Sequence, residues 1–199
     1  MLFSGFFRVE ILPQSVVSNL EHQVSDYAGK FRCAVDDEVV FHHEVHHVFL
    51  AHQNAESVFC FVGALHEPDT MPILQGALSA GKQLLVPRIA GPGQMQLVPL
   101  QSLEQLQPGA FGILEPGQAL PAVPAGSGVQ LAVLPCLAAA RSGARLGHGG
   151  GYYDRFLANY SGRRLILCPE ALLAQSLPTG PLDEPAQAVL TEKALYGTL

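Results

Sequence analysis

No apolar run in this chain approaches the ~20 residues that a membrane-spanning helix needs, so no helical membrane span is expected. Nor is there a basic excess. Lys and Arg number 11 against 17 Asp and Glu, a formal charge of −6. That balance argues against a non-specific nucleic-acid binder, which needs a basic face to displace counterions from phosphates. It is compatible with a small anion held in a locally basic pocket. Cysteine is sparse: Cys33, Cys60, Cys136 and Cys168 stand far apart in sequence. Neither a CxxC metal clip nor a disulfide-dense scaffold fits that spacing. Four scattered thiols read as reduced, mostly buried residues of a cytoplasmic protein. The opening MLFSGFFRVEILP has no basic n-region, and Gly5, Arg8, Glu10 and Pro13 interrupt its apolar stretch, so it is not read as a signal peptide. Internal repeats, long linkers and low-complexity tails are also lacking.

What the chain does have is 199 residues, 48% of them hydrophobic, enough for one substantial core. Apolar residues at Val17, Leu20, Val24, Tyr27 and Phe31 follow steps of three and four, the period of a helix face over 14–33. Asp36 and Asp37 suit the start of a second helix running to about residue 52. SVFCFVG (57–63) and QLLVP (83–87) read as buried strands, separated by a helix over MPILQGALSAG that Thr70 or Asp69 can cap and Gly81 can stop. An exposed strand, MQLVPL, and a short helix near Leu103–Leu106 interrupt a Gly/Pro-rich stretch. Then follow a strand VQLAVLP (129–135), a glycine-rich loop, a helix from about 150 to 160, a strand RRLILC, a short helix PEALLAQS and a last strand QAVLT. Buried strands alternating with helices imply a single α/β domain over 1–199. The expected architecture is a three-layer sandwich, a mostly parallel sheet covered by helices on both faces.

The segment LPCLAAARSGARLGHGGGYYDRFL (134–157) follows a buried strand and opens a helix. Loops at the carboxyl ends of strands are where α/β sheets bind ligands. Gly147, Gly149, Gly150 and Gly151 let backbone N–H groups approach an anion, and a helix N-terminus adds a positive dipole. Arg145 and Arg155 flank the loop and suit phosphate oxygens. Asp154 is the nearby carboxylate of the kind that a nucleotide's Mg²⁺ takes. No Lys-Ser/Thr follows the glycines, so the Walker-type phosphate loop is excluded, as is the dinucleotide fingerprint. From these residues alone the segment is either a phosphate loop or a glycine-rich turn closing a tight strand-to-helix connection.

RLGHGGGYYDRFL resembles the signature of the 5-formyltetrahydrofolate cyclo-ligase family. HEPDT (66–70), LVPR (85–88), PGAFGILEP (108–116), VLPCLA (133–138) and LPTGPLDEPAQAVLTE (177–192) match that family in order, and the similarity is strongest over 55–192. The resemblance implies an ATP- and Mg²⁺-dependent closure of 5-formyltetrahydrofolate to 5,10-methenyltetrahydrofolate, with release of ADP and phosphate. It assigns nucleotide binding to Arg145, Gly147, His148, Gly149, Gly150, Gly151, Tyr152 and Asp154. It makes Asp154 the Mg²⁺ ligand, places Glu67 and Tyr153 against the folate, and gives Arg145 and Tyr153 roles in the chemistry. The implied partners are a reduced folate and ATP, in a monomer or homodimer, with neither nucleic acid nor membrane.

The chain also departs from the family pattern. Where the family carries a Lys and, four residues on, an Arg in its first helix, this chain offers Glu21, His22, Ser25 and Asp26. A Phe-Asp pair becomes Ala139-Ala140, a His-Asp pair becomes Leu182-Asp183, and a later acidic position becomes Gln187. These changes raise the alternative of a relative that binds folate or nucleotide without turnover. His43-Glu44-Val45-His46-His47 matches HExxH, but Leu50 and Gln53 break the longer metzincin pattern, and a solvated helix face is the expected reading. Cys136 is read as packing. Lys82 and Arg88 are expected at the surface.

Overall fold

The computed structural model describes residues 55–64, 67–109, 112–124 and 128–199. The helices expected over 14–33 and from Asp36 to about residue 52, the HExxH segment and Cys33 lie outside them. Within the described residues, β1 (Ser57–Cys60), β2 (Gln83–Gly91), β3 (Gln94–Leu100), β6 (Leu131–Leu134), β9 (Arg163–Leu167), β11 (Ala188–Leu190) and β12 (Leu195–Gly197) form one sheet, in the order β12-β11-β9-β6-β1-β2-β3. Its interior pairings β2–β1, β1–β6, β6–β9 and β9–β11 are parallel. The two edge strands, β3 and β12, run antiparallel. The chain is thus α/β with a mostly parallel large sheet.

All four residues of β1 and all four of β6 are buried. That is the pattern of central parallel strands covered on both faces. Side chains alternate between faces, and the two cores sort accordingly. Val58 and Cys60 pack with Leu84, Val86, Leu131 and Leu165, whereas Phe59 packs with Leu85, Ala132, Leu134 and Ile166.

Among the described residues there are two α-helices, α1 (Met71–Ser79) and α2 (Tyr152–Leu157). α1 buries Ile73, Leu74 and Ala77 in the core with Val58, and α2 buries Phe156 and Leu157 in the core with Phe59. Pro72 sits in the first turn of α1, where a missing N–H costs nothing. Gly81, at φ +69°, ends the helix in the left-handed region. The expected capping is divided between two residues. Asp69 Oδ1 accepts the Met71 N–H, while the Thr70 side chain points upstream and stitches the loop after β1.

Several elements differ from expectation. The segment MQLVPL lies in a seven-residue strand, β3, whose Leu97, Val98 and Leu100 are buried rather than exposed. The short helix near Leu103 is a 3-10 turn, Leu103–Gln105, closed by a reciprocal Ser102–Gln105 capping box. PEALLAQS forms only a 3-10 turn, Glu170–Leu172, before β10 (Leu173–Ala174). β12 follows the strand that was expected to be last. Two small sheets complete the fold. One is the hairpin β4 (Leu106–Pro108)–β5 (Leu114–Pro116). The other is a three-stranded sheet in the order β10-β7-β8, with β7 at Ala138–Ala140 and β8 at Arg145–Leu146.

Arg88 corrects the expectation of a surface role. It is 5% exposed and donates to the carbonyls of Gly117 and Leu120 and to Gln96 Oε1. It therefore clamps the segment after β5 onto the sheet. Lys82 lies at the amino end of β2, where its Nζ donates to the Ala55 carbonyl.

Thr70 offers a test of the loop after β1. Its buried hydroxyl donates to Phe61 O and accepts the Gly63 N–H. Thr70→Val keeps the shape and strands both partners, so urea unfolding should show a loss of about 1–3 kcal/mol. An unchanged midpoint would mean that water replaces the hydroxyl.

Candidate functional site

From β1 the chain moves to β2 on one side, then returns to β6 on the other. The order of strands reverses there, so the connections leave the carboxyl ends of β1 and β6 in opposite directions, the usual ligand position of an open α/β sheet. The loop after β1 carries Glu67. The loop after β6 leads through β7 and β8 to the glycine loop and α2. Residues far apart in sequence are thus delivered to one end of the sheet.

Arg145 stands on β8, opposite Ala139 of β7. Its side chain is 6% exposed, and its Nη2 donates to Asp154 Oδ1 at 2.5 Å. The guanidinium carbon lies 5.7 Å from the centroid of the Tyr153 ring. Among the described residues the Arg145 Nε is buried without a hydrogen-bond partner, as is the Arg164 Nε. A buried donor left unpaired is costly.

The glycine loop runs from β8 to α2. Gly147, His148, Gly149 and Gly150 are exposed. Gly149 (φ +77°) and Gly151 (φ +61°) take left-handed backbone that other residues avoid. α2 has only six residues, so its dipole adds less than the sequence suggests. The positive character of the site rests on the loop's N–H groups and Arg145. Arg155, expected to meet phosphate, is used otherwise: its Nε donates to Gly93 O at 2.8 Å, and its Nη2 donates to Gly150 O. It ties the loop to the turn between β2 and β3. Its guanidinium also lies 5.9 Å from the Tyr152 ring.

Tyr153 packs against both cores, with its ring 6.3 Å from that of Phe59. Burial pushes its hydroxyl pKa up, the charge of Glu67 and then Cys60 add to the shift, and Arg145 opposes it. Tyr153 therefore stays a neutral hydroxyl at physiological pH, able to donate a hydrogen bond. Glu67 Oε2 accepts the Ala64 N–H at 3.0 Å, and the Glu67 N–H donates to Ala64 O at 2.8 Å. This tight turn holds the carboxylate close enough for its field to reach both Tyr153 and Cys136. The structure thus brings Arg145, Asp154, Tyr153 and Glu67 into one neighbourhood. His148 stays on the exposed outer side of the loop, and Tyr152 is half-buried.

Beside the Arg145–Asp154 pair lies a cavity of about 310 Å³, lined also by Ser142, Ala144, Thr179, Gly180, Asp183, Glu184 and Pro185. Asp183 Oδ2 accepts the Gly180 N–H, and Glu184 pairs with Arg164 at 2.9 Å. Thr179, Asp183 and Glu184 are absent from the expected site. The signal for them was the Pro/Gly-rich stretch LPTGPLDEP, whose folding-back no local pattern shows. Among the described residues no three His, Cys, Asp or Glu side chains form a metal cluster. One or two carboxylates suffice for a Mg²⁺ that arrives on substrate phosphates, and Asp154 and Asp183 meet that need. Ala139 and Ala140 are wholly buried in β7, so that position offers no carboxylate. No helix among the described residues is long and apolar enough to cross a membrane.

Known proteins resemble this chain in sequence and in fold. A curated 5-formyltetrahydrofolate cyclo-ligase from Mycolicibacterium smegmatis is 32% identical over 148 residues, which are 70% of this chain and 75% of that protein. A mitochondrial 5-formyltetrahydrofolate cyclo-ligase from Arabidopsis thaliana is 31% identical over 153 residues, covering 64% of this chain and 55% of its own length. The solved structure of Aquifex aeolicus 5,10-methenyltetrahydrofolate synthetase matches with a TM-score of 0.76 at 25% identity, over 90% of this chain and 91% of that one. The corresponding Mycoplasma pneumoniae enzyme shares the fold, with a TM-score of 0.62 at 10% identity, over 85% of this chain and 92% of that one. The sequence pattern that defines the 5-formyltetrahydrofolate cyclo-ligase family matches residues 24–192, and the chain belongs to that enzyme family.

Proposed function

We propose that this chain catalyses the ATP- and Mg²⁺-dependent cyclisation of 5-formyltetrahydrofolate to 5,10-methenyltetrahydrofolate, releasing ADP and phosphate. The observation that carries the reading is Arg145, its side chain nearly out of water, ion-paired to Asp154 and with its Nε unpartnered among the described residues, beside a glycine loop at the point where the strand order reverses. The formyl oxygen is a poor leaving group until phosphorylated. The γ-phosphoryl passes from ATP to that oxygen, N10 attacks the formyl carbon, and phosphate leaves as the ring closes. The protein must align the reactants and offset charge on the moving phosphoryl.

In this reading Arg145 and the N–H groups of Gly147–Gly151 hold the phosphates. Mg²⁺ bound through Asp154, with Asp183 as a second carboxylate, would neutralise phosphate charge. Glu67 accepts hydrogen bonds from the adjacent N–H donors of the pterin, and the Tyr153 hydroxyl donates to the formyl oxygen or to the phosphoryl replacing it. The proposal extends to one domain over 1–199, helices on both faces of the sheet, and a cytoplasmic monomer or homodimer. Binding without turnover is the second reading, favoured by the buried Ala140 where the family carries an acid.

Turnover of 5-formyltetrahydrofolate with Mg-ATP, followed by absorbance of the methenyl product, separates the two. A rate well above the enzyme-free control is expected. Folded protein without turnover would support the binding-only reading. Arg145→Ala removes a charge-assisted contact worth about 1.5–3 kcal/mol, so the KM for ATP should rise by roughly ten- to a hundredfold and that for the folate much less. The reverse order would mean that the two subsites are exchanged. Asp154→Asn keeps a hydrogen-bond acceptor for Arg145 while removing the charge. It should lower kcat by about 10²-fold or more with little change in thermal midpoint, and an unchanged rate would remove Asp154 from the site.

A further inference from the structure

Cys136 and Cys168 have no place in the chemistry proposed above, yet they sit at its base. β6 and β9 pair in register, Leu134 opposite Ile166. Two residues further along each chain stand Cys136 and Cys168. Period-two alternation keeps them on the face of Leu134 and Ile166, and all four belong to the same core cluster. The Cys136 thiol lies 3.4 Å from the Leu167 carbonyl, the peptide joining Leu167 to Cys168. Cys60, on the neighbouring strand, belongs to the opposite core. The strands that lead to them are about 4.8 Å apart, and a disulfide spans roughly 4.4–6.8 Å between Cα atoms.

We propose that Cys136 and Cys168 are a dithiol that a small two-electron oxidant of the peroxide class converts to an intramolecular disulfide, at the root of the sheet that carries Arg145. Both chains leave the main sheet at these residues. The one after Cys136 becomes β7, and the one after Cys168 becomes β10, which pairs with β7 in parallel. β7 in turn pairs with β8 and so positions Arg145. Closing the bond draws Cys136 from its contact with Leu167 and shifts β7, which ties the oxidation state of the pair to the placement of the guanidinium. That last consequence rests on the function proposed above.

The step balances. The sulfur of Cys136, the more exposed of the two at 8% against 0%, first gives up its proton to solvent and attacks a peroxide oxygen as the minor thiolate form, which makes the step slow. The O–O bond breaks and the departing oxygen leaves as water. Cys168 then attacks the resulting sulfenic sulfur, the S–S bond forms, the S–O bond breaks and a second water leaves. Two thiols are oxidised by two electrons and one peroxide is reduced. The resting form is the dithiol. The hydrogen bond with Cys168 and then burial raise the Cys136 pKa, the charges of Cys168 and Glu67 add to this and Arg145 opposes it, so the thiol stays protonated at neutral pH.

The test uses the whole chain, reduced, freed of reductant, treated with hydrogen peroxide, unfolded and alkylated with iodoacetamide. Two of its four cysteines should escape the label, with the tryptic peptides of Cys136 and Cys168 found joined and label on Cys33 and Cys60. Dithiothreitol should restore all the thiols. Cys168→Ser, once circular dichroism shows it folded, should stop at a Cys136 sulfenic acid that dimedone traps. Full labelling after peroxide, a link that uses Cys33 or Cys60 instead, or oxygen added to wild-type Cys136 without a link would overturn the proposal. Calorimetry with Mg-ATP reads the coupling to Arg145: oxidation should weaken binding about tenfold, and reductant should restore it. Unchanged affinity across a mapped disulfide would sink the coupling. Failure of the reduced chain to bind Mg-ATP would defeat the proposed function and leave the dithiol to be decided by the peptide map.

Discussion

A guanidinium that is nearly out of water has to find a counter-charge, and Arg145 finds Asp154. This pairing joins the end of a short strand to the first turn of α2 and fixes the length of the glycine loop between them. The eight residues between them therefore have to turn back on themselves, and left-handed backbone at Gly149 and Gly151 makes that path available. A buried ion pair by itself is weak evidence of stability, because desolvation offsets much of the attraction. Here the pair is one-sided. Asp154 is partly open to solvent, while the Arg145 Nε is buried and unpartnered among the described residues. That asymmetry is what the proposed anion-binding role of Arg145 requires.

The central strands were legible because burial on both faces writes itself as short runs of Val, Leu, Ile and Phe. SVFC, QLLV, LAVL and RLIL all became interior strands of the sheet. The glycine-rich turn between β8 and α2 is legible too, since repeated glycine between a strand and a helix marks a tight connection. Elements with two or three residues were not. β7, β8 and β10 carry no periodicity long enough to see, and their pairing depends on where the main sheet places their ends. Arg88 was misjudged because charge was read before period. It continues the Leu84, Val86 alternation and so points into a covered face, where carbonyl oxygens receive it.

The candidate site was only partly readable for a similar reason. Arg145, Asp154, Tyr153 and the glycines are near neighbours in sequence, so one motif supplied them. Glu67 lies far upstream and reaches them because β1 and β6 are adjacent at the reversal of strand order. Asp183 and Thr179 come from a loop without secondary structure of its own, which folds back beside Arg145. The absence of an acid at Ala140 is visible in sequence. The presence of Asp183 and Glu184 around the cavity beside Arg145 is visible only in three dimensions.

The bond from Arg155 to the carbonyl of Gly93 joins the tip of the β2–β3 hairpin to the glycine loop. The space a side chain would need at Gly93 is already filled by that guanidinium. Hairpin tips are ordinarily where a fold tolerates added or deleted residues. In this chain the tip doubles as the abutment of the loop, so its length is not free to drift. A one-residue change there would alter the span that Arg155 has to bridge, and a segment distant from the reacting groups would set the tension of the loop that faces them.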